Sequence, residues 1–160
     1  MERLWAPWRS TYVKEKRDPE VCIFCAAAQA DADRDTLVVY RGQHNFVLLN
    51  RYPYTSGHLM IAPYEHVSRL SQIDSAAAAE MMDLAKQAEE AIQGAYHPDG
   101  FNIGMNLGQA AGAGIEEHIH LHVLPRWMGD ANFMTTVGNT RVLPEDLKTS
   151  LEKIKGKFER

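Results

Sequence analysis

Three histidines alternate with aliphatic residues in His118-Ile119-His120-Leu121-His122, and the run continues into Val123-Leu124-Pro125. With the two-residue period of a strand, His118, His120 and His122 fall on one face about 7 Å apart, while Ile119, Leu121 and Val123 fall on the other. The chain has seven histidines, so this row is a concentration of titratable nitrogens. Like-charged imidazolium groups at that spacing resist full protonation, which keeps some of them neutral near pH 7. A neutral imidazole beside a charged one is a poised nucleophile with an electrophilic helper. The pattern equally fits a metal-chelating face or the polar side of a half-exposed strand, and spacing alone leaves these readings open.

A second group with chemistry in it is Cys22-Ile-Phe-Cys25, which holds the only two cysteines. In a reducing compartment that separation favours a metal knuckle or a redox pair over a structural disulfide. The Ala-rich stretch beside it does not supply the βαβ context of a thioredoxin-type pair, and two thiolates are half of what a tetrahedral zinc requires.

The rest of the chain must position these groups. Its 160 residues fit one domain with a respectable core, and hydrophobic content of 45% with 24% charged residues is ordinary for a globular protein. No apolar run reaches the ~18 residues of a membrane span, and Met-Glu-Arg-Leu-Trp lacks the order of a secretory signal, so a cytoplasmic protein is expected. A net charge of −4 argues against a nucleic-acid polymer as partner, while a small anion in a local basic pocket stays compatible.

Residues 1–20, with Trp5, Pro7, Trp8, Arg9 and Tyr12, read as an arm wrapping over the domain or a partner subunit. Residues 26–35 suit a short helix or loop. Strands are predicted over Thr36 to Arg41, Asn45 to Asn50, His58 to Ala62 and Phe101 to Met105, with the histidine run as a fifth. Gly42-Gln43-His44 reads as a hairpin turn. Asp74 or Ser75 caps a long helix whose apolar face holds Met81, Leu84, Ala85, Ala88 and Ile92, ending before His97. A second amphipathic helix over 144–159 opens at Pro144, with Leu147, Leu151, Ile154 and Phe158 on one side. Short connections without alternating βα units predict an α+β domain: an antiparallel sheet of about five strands with two main helices on one side, its core over 21–135.

The stretch from Glu117 to Arg126 resembles the motif of the histidine triad (HIT) superfamily of nucleotide hydrolases and transferases. The segment from Asn50 to Pro63 (Asn-Arg-Tyr-Pro-Tyr-Thr-Ser-Gly-His-Leu-Met-Ile-Ala-Pro) resembles the nucleoside-binding segment of its fragile-histidine-triad branch. Cys22-Ile-Phe-Cys25 is similar to the start of many bacterial members. Gly112 to Gly114, with Pro125-Arg126-Trp127 and Gly129 to Met134, is similar to the bacterial diadenosine tetraphosphate phosphorylase-like subgroup.

The resemblance implies a HIT-like fold and cleavage of dinucleoside polyphosphates, or of similar nucleotide anhydrides and phosphoramidates, at the α-phosphate through a covalent nucleotidyl-histidine. Water or phosphate would be the acceptor. By the family pattern His120 is the nucleophile, His122 contacts the α-phosphate, His118 holds the neighbouring geometry and His58 completes the cluster. Asn50 matches a ribose-binding residue and Asn106 a polar residue on the phosphate side, while Arg126 and Trp127 border the polyphosphate end. Where family hydrolases place Gln and then Ser or Thr ahead of the first triad histidine, this chain has Gly114 and Ile115. The backbone N–H groups of Gly112, Ala113 and Gly114 could cradle phosphate in their stead.

Zinc-bearing relatives further imply a structural Cys₂His₂ set of Cys22, Cys25, His66 and His118, and the family implies a homodimer. The rival readings are a metal-dependent enzyme using the histidine row as ligands, which lacks a carboxylate between the histidines, and a non-catalytic nucleotide-binding scaffold.

Overall fold

The structure, a computed structural model, describes residues 21–131, 135 and 143–158. The expected N-terminal arm over 1–20, and residues 132–134 of the Gly129 to Met134 motif, lie outside the described residues. The described elements run α1 (Ile23–Gln29), α2 (Asp33–Thr36), β1 (Val38–Arg41), β2 (Asn45–Leu49), β3 (Leu59–Pro63), α3 (Ser75–Tyr96), β4 (Gly100–Gly104), β5 (Leu121–Arg126) and α4 (Leu147–Phe158). The strands form one antiparallel sheet in the order β1-β2-β3-β5-β4.

Alternation along the strands divides the core in two. Val47, Leu49, Leu59, Ile61, Leu121 and Val123 face the apolar stripes of α3 (Met81, Leu84, Ala85, Ala88, Ile92) and α4 (Leu151, Ile154, Phe158). Val38, Phe46, Leu48, Met60 and Ala62 face the other way and bury Phe24 and Ala27 of α1. The two main helices, α3 and α4, lie on one side as expected, and the short α1, whose Ala-rich sequence is weakly patterned, supplies the cover for the second face.

Element ends shift by small amounts for local reasons. Thr36 closes α2 and turns its hydroxyl back to the Ala32 and Asp33 carbonyls, so β1 starts at Val38 and not at Thr36. Asp74 caps α3 by accepting from the Ala77 N–H at 2.8 Å, and the helix ends at His97 in a left-handed conformation (φ 48°). The β1–β2 turn is held from outside. Glu80 of α3 accepts the backbone N–H groups of Gln43, His44 and Asn45 and the Asn45 side-chain amide. Among the described residues no helix is long and apolar enough to cross a membrane.

Candidate active site

His118 and His120 precede the ladder of β5, which begins at Leu121, so the regular strand expected over all three histidines is shorter than predicted. Their facing is retained. Phe24 packs against both the His118 ring (5.1 Å between centroids) and the His120 ring (4.8 Å), on the α1 side of the sheet. His122 sits inside β5, opposite Met60 on one flank and Gly104 on the other.

Hydrogen bonds to groups of fixed polarity assign the tautomers. The carbonyl of His118 can only accept, so His120 Nδ1–H donates to it at 2.9 Å and Nε2 keeps its lone pair. The Tyr54 backbone N–H can only donate, and it donates to His58 Nδ1 at 3.2 Å. The Asn50 amide points at the same nitrogen from 3.4 Å, its oxygen being taken by the Tyr52 N–H. His58 must then carry its proton on Nε2 and donate to His122 Nδ1 at 2.9 Å, which leaves His122 with a proton on Nε2. A nucleophilic nitrogen and a neutral N–H donor result, on rings 4.8 Å apart.

Electrostatics hold that arrangement. Burial, then the fields of His122 and His120, push His58 down to about 3. Burial, then His120, push His122 down to about 4. Burial also lowers His120, against the opposing bond to the His118 carbonyl. These imidazoles are therefore neutral at pH 7. The expectation of a charged helper is corrected, since the pocket strips away the solvation that a protonated ring would need.

The pocket in front of them measures about 590 Å³. Ile23, Ala26 and Ala27 of α1 and its C-cap Ala30 form one wall, Asn50 and Tyr52 lie just past the end of β2, and Asn106, Gly112 and Gly114 line it too. His120 and His122 line it as well. His58 stands behind His122. The loop that carries it turns at Gly57 (φ 78°), where a Cβ would lie 3.1 Å from the Tyr96 ring, so only glycine suits the position.

Four residues singled out in the sequence are placed elsewhere. Ala113, Arg126 and Trp127 do not line this pocket. Arg126 instead reaches Asp130 and Asn102, and with Trp127 borders a separate hollow near Tyr96. His118 is fully buried and uses both ring nitrogens away from the pocket: Nε2–H donates to the Pro63 carbonyl at 2.8 Å, and Nδ1 faces the two cysteines. Sequence reasoning missed Phe24 and Tyr54. One acts through a ring face and the other through a backbone N–H, neither of which residue type announces.

The cysteines meet histidine as the resemblance implied. Cys22 Sγ lies 3.4 Å and Cys25 Sγ 3.7 Å from His118 Nδ1, with Cys25 Sγ 3.2 Å from His66 Nδ1. All four donor atoms lie within 4.8 Å of one another. Tetrahedral zinc with its usual bond lengths spaces its ligands by about 3.3–3.8 Å; the three contacts of 3.2–3.7 Å match that spacing, and the wider pairs need to close by at most about 1 Å. The Pro63 bond fixes the His118 lone pair toward the sulfurs, as a metal-bound imidazole requires. Burial and then the Cys22 thiol push the Cys25 thiol up, a cost that a cation between them would remove.

The model of the HIT domain matches residues 31–128. This chain belongs to the HIT domain family. Within the family, it is 42% identical to a Mycobacterium tuberculosis protein named AP-4-A phosphorylase, over 92% of this chain and 80% of that one. An uncharacterized HIT-like protein of Methanocaldococcus jannaschii is 29% identical over 85% of this chain and its own full length. Among solved structures, a zinc-bound histidine triad family protein from Mycobacterium smegmatis superposes with a TM-score of 0.71 at 28% identity, covering 86% of this chain and 93% of that one. A hypothetical histidine triad nucleotide-binding protein from Sulfolobus tokodaii gives 0.69 at 26% identity, covering 86% and 92%.

Proposed function

We propose that this HIT protein cleaves dinucleoside polyphosphates, with diadenosine tetraphosphate as the test substrate, by nucleotidyl transfer through His120. The observation that carries the proposal is the tautomer lock: His120 Nδ1–H is committed to the His118 carbonyl, which leaves a lone pair on Nε2 at the wall of a nucleotide-sized pocket. The relative named AP-4-A phosphorylase supports the same substrate class.

In the first step the Nε2 lone pair attacks the α-phosphorus, the bond to the bridging oxygen breaks, and its electrons leave with ATP. His122 Nε2–H donates to the phosphoryl oxygens as their charge grows, oriented by His58 and, behind it, the Tyr54 N–H. In the second step an oxygen of water or inorganic phosphate attacks the same phosphorus, and the P–N electrons return to His120. Water gives AMP and phosphate gives ADP. Asn50 contacts the ribose and Asn106 the phosphates, with the glycines of 112–114 admitting close approach of backbone.

A zinc ion on Cys22, Cys25, His66 and His118 would supply a rigid cross-link between α1 and the histidine segment. We further propose a homodimer formed through β4, an edge strand that carries Ile103 at 44% exposure, in a compartment reducing enough to keep both thiols free, such as the cytoplasm.

The test incubates the protein with diadenosine tetraphosphate, with and without phosphate, before and after chelation. ATP with AMP, shifting to ATP with ADP when phosphate is added, is the expected product pattern. His120→Ala should lower turnover by a factor of about 10³ or more. Tight binding without products would favour the scaffold reading. Total loss of turnover in stripped protein whose fold is intact would favour the metal-dependent one.

A further inference from the structure

The short helix α1 makes one wall of the pocket, yet nothing in its own sequence holds its C-terminal end. It is seven residues long, has no basic residue in its last turn, and its C-cap is Ala30. Free carbonyls at such an end need donors. They come from the sheet. Arg41, the last residue of β1, donates from Nη1 to the Ala28 carbonyl at 2.8 Å and from Nη2 to those of Ala27 at 3.0 Å and Ala30 at 2.9 Å. Its Nε donates to Asp33 Oδ1 at 3.0 Å, and the other oxygen of Asp33 accepts from Lys155 of α4 at 3.2 Å.

We propose that Arg41 is a positioning residue for the nucleotide: it fixes the C-terminal half of α1 and so sets the width of the pocket at Ala27 and Ala30. The two ends of α1 then divide the labour. The first turn carries Cys22, Cys25 and Phe24, and is tied to His118 and to the ring of His120. The last turn touches the pocket, and its carbonyls are held by the three bonds from Arg41. A fork of five N–H groups can bridge several carbonyls at once, whereas a lysine ammonium, a compact charge on a flexible stem, cannot hold the same geometry. Losing Arg41 therefore loosens substrate binding more than it slows the chemical step.

This inference rests on the reading of the pocket as a nucleotide site, and the experiment separates the two. Arg41→Lys and Arg41→Ala are compared with wild type for AMP affinity by calorimetry, for KM and kcat on diadenosine tetraphosphate, and for amide hydrogen exchange. Expected are a rise of about tenfold in Kd and KM in both variants, as befits lost charge-assisted bonds, with kcat within about twofold. Faster exchange is expected over residues 26–30 but not within α3. Wild type that neither binds AMP nor turns over substrate would sink the nucleotide reading, while the exchange result would still judge the helix anchor. Unchanged KM and exchange in both variants would overturn the role of Arg41. So would a fall in kcat at constant KM, or global loss of structure in both variants, which would make it a general support of the domain.

Discussion

At the scale of single residues, the site works by polarity fixed at a distance. The proton on His122 Nε2 is dictated by a backbone N–H two groups away, at Tyr54, through His58. Because His58 and His122 are neutral in the fold at values near 3 and 4, while an exposed histidine titrates near 6.5, the unfolded chain binds more protons between those limits. Their contribution to stability is complete above pH 6.5 and declines as pH falls toward 4 and then 3. Urea midpoints measured from pH 7.5 down to 4.5 should drop steadily below 6.5, and His58→Gln should flatten that slope. The row of histidines was legible from residue type and alternation, and the two asparagines of the pocket only through the family resemblance. The split between His118, turned to the cysteines, and His120, turned to the pocket, was not legible from spacing, since it arises from packing against α1.

At the scale of elements, long-range caps decide what local pattern leaves open. The β1–β2 turn was readable from Gly42-Gln43-His44, but Glu80, which closes it, looks in the sequence like any solvent-facing helix residue. Burial would raise its carboxyl. The donors on Asn45, Gln43 and His44 outweigh that and hold it below the usual range. Glu80→Gln sets an amide N–H₂ against backbone N–H donors and should cost about 1–3 kcal/mol, the penalty for leaving such groups unmet. The urea midpoint of the variant at neutral pH checks it, with the His120 reaction unaffected apart from stability. The strands themselves were read to within a few residues because short apolar runs bounded by turn residues mark them, even in β2 and β3, which are buried throughout, whereas α1 lacks a stripe and was visible only as an Ala-rich segment.

At the scale of the whole molecule, the sheet is the middle of three layers, with the larger core under α3 and α4 and the smaller one under α1. The outer layer on the smaller side is thin, so the cysteine and histidine cluster that ties it down should matter to global stability. A cation that binds the folded cluster and not the unfolded chain shifts the equilibrium by mass action. Chelation should therefore lower Tm by several degrees, zinc should restore it, and Cys22→Ser should remove the response to both. The two flanks of the sheet are also unequal. Along β1, the link from Lys155 through Asp33 to Arg41 stitches the helices of opposite faces together around the outermost strand, while β4 presents its open side. With β4 as the paired edge proposed above, molecules that join rim to rim terminate as a closed pair, which spares a sheet protein of this kind from growing into a fibre.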